Sequence, residues 1–282
     1  MKTVRLTTLL GLLLVTLTIG CELGKKRVTI RYKLKPDMKL EYQQTSKGSV
    51  LVLAGDSVLR DAYNDINTTL TWTVKDVAAD QTAEIVESRL HHYRSLDRRD
   101  SSLIDTIKPA DDLILFIKPN GKLVDIIPAA EEMRGLASYL QKYFEQGAPL
   151  FPENDVEQGY TWSQSSTVVL PDGPIEASTR FTIKSFARHH GYDCVVIAYE
   201  GNLVIPLEPN EKEEYKTVDG VDLVESTGHQ YFAYKEGFIV ENLERYVVDG
   251  TRRRVYSSGD TVLVKVSVEY DFDQLLQSAV IP

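Results

Sequence analysis

The sequence holds five histidines, His91, His92, His189, His190 and His229, the residues best suited to bind a metal or move a proton. Two of the pairs are adjacent in sequence, which invites a chelating reading. Neighbouring side chains on a strand point to opposite faces, however, so such a pair seldom gives one ion two ligands. His189-His190 also leads into Gly191 as a hairpin tip would, where polar side chains are simply solvated. With no His-Glu-x-x-His motif and no tight His/Asp grouping, no metal site is expected.

Nucleophilic chemistry finds as little support. No Gly-x-Ser-x-Gly elbow occurs, and no Ser-x-x-Lys sits in a helical setting. Cys194 lies in Tyr192-Asp193-Cys194-Val195-Val196-Ile197, the pattern of a buried strand, so an inert packed thiol is expected. Asp and Glu total 41, enough that some carboxylate pair always exists, yet no spacing singles one out. Glu208–Glu214 reads as a solvated insertion, and Arg252-Arg253-Arg254 as an exposed loop after an Asp249-Gly250 turn. Asn67-Thr68-Thr69 matches a glycosylation acceptor. No glycine-rich phosphate cradle is present, so neither a catalytic residue nor a cofactor is expected. A formal charge of −9 also argues against a nucleic-acid partner.

The elements that would carry any site are mostly strands. Val262, Val264, Val266, Val268, Tyr270 and Phe272 alternate with Lys265, Ser267, Glu269 and Asp271, a period of two with one buried face. Leu70, Trp72 and Val74 alternate with Thr71 and Thr73 in the same way. Leu113–Ile117 and Cys194–Tyr199 are apolar on both faces, which calls for a layer on either side. Pro119-Asn120-Gly121, Pro171–Pro174, Glu236-Gly237 and Asp249-Gly250 mark turns. One segment has the helical period instead: Ala129, Met133, Leu136, Ala137, Leu140 and Phe144 share a face, with Pro128 suited to its start and Gly147 to its end.

The strands repeat in order. Leu40–Gln44 aligns with Tyr160–Gln164, Trp72–Ala78 with Phe181–Ala187, Ala83–Val86 with Cys194–Ile197, and Phe116–Asp125 with Phe232–Glu241. Two similar antiparallel units of about five strands each follow, residues 28–127 and 148–282, linked by the helix at 128–147. The fold class is mainly β with one helix (α+β). A single curved sheet of about ten strands wrapped on that helix hides more apolar surface than two separate sheets with bare edges.

The N-terminus reads as an address. Lys2 and Arg5 precede an uncharged, Leu-rich stretch from Leu6 to Gly20, shorter than the ~20 residues a membrane-spanning helix needs. It ends Leu17-Thr18-Ile19-Gly20-Cys21, which resembles the lipobox of bacterial lipoprotein signal peptides. That resemblance implies a signal peptide at 1–20, lipidation of Cys21 and a short tether at 21–27. Several acyl chains hold a protein to a membrane durably, since each buried CH2 contributes about 0.8 kcal/mol. Glu22 after the cysteine implies, in enteric-type sorting, the outer membrane.

Arg31–Tyr42, with Gly159-Tyr160-Thr161-Trp162, resembles a group of uncharacterised bacterial lipoproteins. The architecture is similar to the half-barrel lipoprotein carriers of the LolA/LolB type. The function these resemblances imply is a non-enzymatic, membrane-anchored cell-envelope module that handles an apolar or lipid ligand. A scaffold that recruits another envelope protein through its sheet surface is the other reading. Its localisation would be the cell membrane or outer membrane, facing the periplasm or the exterior.

Overall fold

The computed structural model describes residues 26–131, 134, 149–170, 173–207, 210–211 and 215–282. Cys21 and the expected signal segment at 1–20 lie outside them, as do residues 132, 133 and 135–147 of the expected helix.

Among the described residues fourteen strands form: β1 (Arg27–Val28), β2 (Lys39–Ala54), β3 (Ser57–Val77), β4 (Ala83–Asp97), β5 (Leu103–Ile117), β6 (Leu123–Pro128), β7 (Val156–Glu157), β8 (Thr161–Leu170), β9 (Gly173–His189), β10 (Tyr192–Leu207), β11 (Asn210–Glu211), β12 (Tyr215–Ala233), β13 (Phe238–Tyr256) and β14 (Thr261–Val280). Twelve of them build one antiparallel sheet in the order β6-β5-β4-β3-β2-β14-β13-β12-β10-β9-β8, with β11 beside β12. The chain thus enters at the middle of the sheet and meanders to one edge at β6. It then crosses to the far edge at β8 and meanders back, until β14 docks on β2. No ladder joins β6 to β8 among the described residues, so the sheet is open there rather than closed into a barrel.

The repeated segments occupy equivalent places in the two meanders, down to their irregularities. In Trp72–Ala78, Lys75 is the extra residue of a bulge against β4; in the aligned Phe181–Ala187, Lys184 is the extra residue of a bulge against β10. Val124 is the extra residue of β6 against β5, and its aligned counterpart Val240 is the extra residue of β13 against β12. A bulge bends and twists a strand locally, so both units turn their sheets at the same points.

The core sits at one end of the strands, near the β3–β4, β5–β6, β9–β10 and β12–β13 turns. Leu40, Tyr42, Ile85, Leu115, Ile183, Ile197 and Phe232 are fully buried there. The layer over them is mostly coil, residues 29–38 and 149–155, closed by the short β1–β7 pair. Tyr32 and Phe151 lie with ring centres 5.5 Å and 4.8 Å from that of Phe232. Backbone bonds pin the coil to the turns: Tyr32 N–H donates to Pro119 O (2.7 Å), Lys33 N–H to Gly237 O (3.1 Å) and Phe151 N–H to Asn120 O (2.8 Å). Gly237 has φ of +82°, and a Cβ there would meet Lys33 N at 2.4 Å, so both conformation and contact require glycine.

Two expectations are corrected. Pro128 does not start a helix: it is the last residue of β6, paired with Leu113, on an edge strand where its missing N–H costs nothing. Among the described residues the helical content is a single 3-10 turn touching Glu131 and Arg134, and the sheet packs on coil. Asp249-Gly250 is not a turn either but lies inside β13. The glycine serves a close approach: a Cβ on Gly250 would sit 2.1 Å from Asp222 Oδ1.

Candidate functional site: a furrow on the uncovered sheet face

Alternation along each strand separates the sheet into a core face and an opposite face. On β2, Leu40 and Tyr42 are buried, whereas Thr45 and Lys47 point the other way; on β10, Val195 and Ile197 are buried and Ala198 and Glu200 are opposed. The opposite face curls into a trough of about 1020 Å³, lined by residues of seven neighbouring strands from β3 through β2, β14, β13, β12 and β10 to β9. Its walls carry both signs of charge: Lys47, Arg180, Lys184 and Arg245 against Glu200, Asp271 and Asp273. Lys47 lies 3.9 Å from Asp65, and Arg245 is ion-paired with Glu269. Burial, and then the charge of Glu241, hold the Asp273 carboxyl above the usual range.

Further along four of these strands, β2, β14, β13 and β12, the chemistry changes. Leu51 and Leu53 of β2 with Val221 and Leu223 of β12 flank Asp249, Thr251, Lys265 and Ser267, and together they line a second hollow of about 320 Å³. Lys47 and Leu51 are four residues apart on one face of β2, about 13 Å at ~3.3 Å per residue. The polar trough and the apolar hollow are therefore two stretches of one furrow. Beyond it, at the strand tips, Ile107, Val204 and Leu263 are 64%, 58% and 52% exposed.

The core face beneath the trough is tied by a polar network. Tyr199 donates to Asn242 Oδ1 (3.1 Å) and also meets Glu244, which accepts from Ser226. Burial and the charge of Glu244 push the Tyr199 phenol up. Gly228 admits this ring, since a Cβ there would sit 2.6 Å from Tyr199 Oη. On the same core face, over β3 and β4, buried Glu87 accepts from Trp72 Nε1 (2.7 Å) and lies 2.7 Å from Arg89.

The histidines divide. His91 and His92 obey alternation: His91 Nδ1 meets Thr68 Oγ1 at 2.8 Å on the core face, and His92 Nε2 meets Asp105 at 2.7 Å on the other. His189 and His190 do not, because His190 has φ of +46° and Gly191 +87°, the two left-handed residues of a tight hairpin turn. The chain reverses between the two imidazoles, and both come near Glu241. His229 lines the trough. Cys194 is fully buried, and burial with the charges of Glu236 and Asp193 pushes its thiol up to about 12.

The arginine run is strand, not loop. Arg252 donates to Asp222 at 2.8 Å, Arg253 pairs with Asp219, and the Arg254 guanidinium lies 4.1 Å over the Tyr215 ring. Most of Glu208–Glu214 falls outside the described residues, and Asn67 of the acceptor motif donates to Asp65 Oδ1 at 2.9 Å.

Sequence reasoning missed the furrow because its lining is contributed two or three residues at a time by distant strands. The one available signal was the polar side of Val262–Phe272: Lys265, Ser267 and Asp271 read as a solvated face, and that face is the furrow wall.

No family model matches the sequence, and no curated protein matches it. The fold is similar to that of lipovitellin in a structure describing lipid–protein interactions, with a TM-score of 0.52 at 8% identity. The likeness covers 88% of this chain, which spans only 26% of the lipovitellin chain's length. A structure of an outer membrane channel from Pseudomonas putida F1 also matches, at a TM-score of 0.27 and 9% identity, over 86% of this chain and 97% of that one.

Proposed function

We propose that this chain is a lipid-anchored cell-envelope module, without catalysis of its own, that holds an amphiphile along the uncovered face of its sheet. The observation that carries the reading is the single sheet face shared by the trough, charged from β9 across to β2, and the hollow, aliphatic at Leu51, Leu53, Val221 and Leu223. A head group bearing both charges suits a trough that presents both. Its tail gains about 25 cal/mol for each Å² of apolar surface removed from water. The lipid–protein interactions described for lipovitellin, part of which shares this fold, support the same ligand class.

The anchor fits this geometry. Lys26, at the end of the expected tether, lies 4.8 Å and 4.7 Å over the rings of Phe186 and Tyr234 at the core end. Acyl chains on Cys21 would keep that end nearest the bilayer. In place of an enclosed cavity, the ligand site is an open one from which an amphiphile can pass to and from a membrane.

The test is binding of an environment-sensitive apolar fluorophore to the Cys21→Ser chain, followed by displacement with a lysophospholipid. Micromolar probe binding that the lysophospholipid reverses is expected. A chain that binds no probe is no amphiphile carrier. The position of β8 at the end of the sheet, with β9 as its only strand neighbour among the described residues, would then favour the scaffold reading, in which a partner adds a strand.

A further inference from the structure

Among the described residues, one cluster outside the furrow's lining brings metal-binding side chains together. His189, His190 and Glu241 each offer a ligand atom, and these atoms all lie within 4.8 Å of one another. His189 Nε2 and Glu241 Oε2 are 2.8 Å apart, and the two imidazoles stand nearly perpendicular, with centres 4.4 Å apart. We infer that these three residues form a site for a divalent transition ion of the zinc type, which takes imidazole nitrogen and carboxylate oxygen together.

The backbone explains why the ligands converge. On a regular strand, His189 and His190 would face opposite ways. The turn formed by His190 and Gly191 removes that constraint, and it does so with an unusual residue. Two-residue turns of this kind favour Asn, Asp or Gly at the first left-handed position, and here histidine takes it. Glu241 comes from another hairpin, so the site joins β9 to β13 across β10 and β12. His189 is also held in place: its ring stacks on Tyr231 at 3.8 Å and 16°, and Tyr231 in turn meets the His229 ring at 5.6 Å.

Zinc-to-ligand bonds of about 2.0–2.2 Å put tetrahedral ligand atoms a little over 3 Å apart. His189 and Glu241 are already that close. His190 is exposed, and its ligand atom lies within 4.8 Å of both. Three protein ligands leave a fourth position for water or for a ligand atom. Glu241 directly precedes, on its own face of β13, the trough residue Leu243, so the ion would sit at the trough's core-end rim. The inference stands on these side chains alone and not on the amphiphile reading.

The experiment is calorimetric titration of the full chain, free of any histidine tag, with Zn²⁺ alone at neutral pH, repeated on His190→Asn and Glu241→Gln. Asparagine suits the left-handed turn position, so His190→Asn keeps the hairpin while removing a ligand. One ion per chain is expected, with affinity falling at least about tenfold in each variant. Because the ion displaces protons from imidazole, wild-type affinity is also expected to fall from pH 7.5 to pH 5.5. Absence of binding to the wild-type chain would overturn the site, as would unchanged binding to His190→Asn. A circular dichroism spectrum of each variant matching the wild type separates ligand loss from misfolding.

Discussion

The two ends of the sheet are built from the same strands to opposite purposes. At the core end, Leu40, Ile85, Ile183, Ile197 and Phe232 are sealed under coil that is itself hydrogen-bonded to the turns. At the far end the same strands run on with aliphatic side chains in the open: Leu103, Ile107, Val204 and Leu263. Strands of ordinary proteins run to about 5–6 residues; β3 has 21 and β14 has 20. A core needs only the first few of those residues. The remainder makes a surface, and its apolar content has a reason only if something apolar comes to lie on it.

Substitutions separate the ends. The largest effect is expected from Phe232→Ala, which empties the space between Tyr32 and Phe151 and costs about 3–5 kcal/mol in urea unfolding. Leu223→Ala at the far end should change stability by less than about 0.5 kcal/mol. Equal losses at both positions would break the comparison. Midway, Gly48→Val would drive a Cβ to 2.1 Å from Glu269 O and 2.6 Å from the Tyr270 ring, at a cost of about 1–3 kcal/mol. The double substitution Leu51→Asp and Leu223→Asp is expected to weaken amphiphile binding at least tenfold, while the unfolding midpoint stays nearly fixed.

The smallest effect is a pH dependence on the core face. Burial, and then the charge of Arg89, hold the His91 imidazole below its ordinary 6.5. Its neutral form is the folded one, so the contribution is fully present above the unfolded value. It is lost as pH falls from there through the folded value. His91→Asn should therefore flatten the acid side of the stability profile below about pH 6.5. An unchanged slope would show that His91 is free to ionise in the folded chain.

Local pattern revealed much of this fold. The alternation in Val262–Phe272 names β14 and its two faces, and the four aligned segments name two meanders whose bulges coincide at Lys75 with Lys184 and at Val124 with Val240. What stayed hidden depends on contacts between strands. Asp249-Gly250 has the composition of a turn, yet its glycine lies inside a strand and admits the Asp222 side chain of the neighbouring strand. Arg252–Arg254 look solvated until Asp222, Asp219 and Tyr215 are placed beside them. The rule that adjacent histidines diverge holds for His91-His92 and fails for His189-His190, where the backbone is left-handed. The furrow was least legible, because no single strand contains it.

The most direct test of the account is photolabelling with a lysophospholipid that carries a diazirine at the end of its tail, followed by peptide mapping. The account requires crosslinks in β2 around Leu51–Leu53 and in β12 around Val221–Leu223, lost when the unlabelled lipid is in excess. Labelling confined to the core face, or spread evenly over the exposed strand tips without competition, would contradict it.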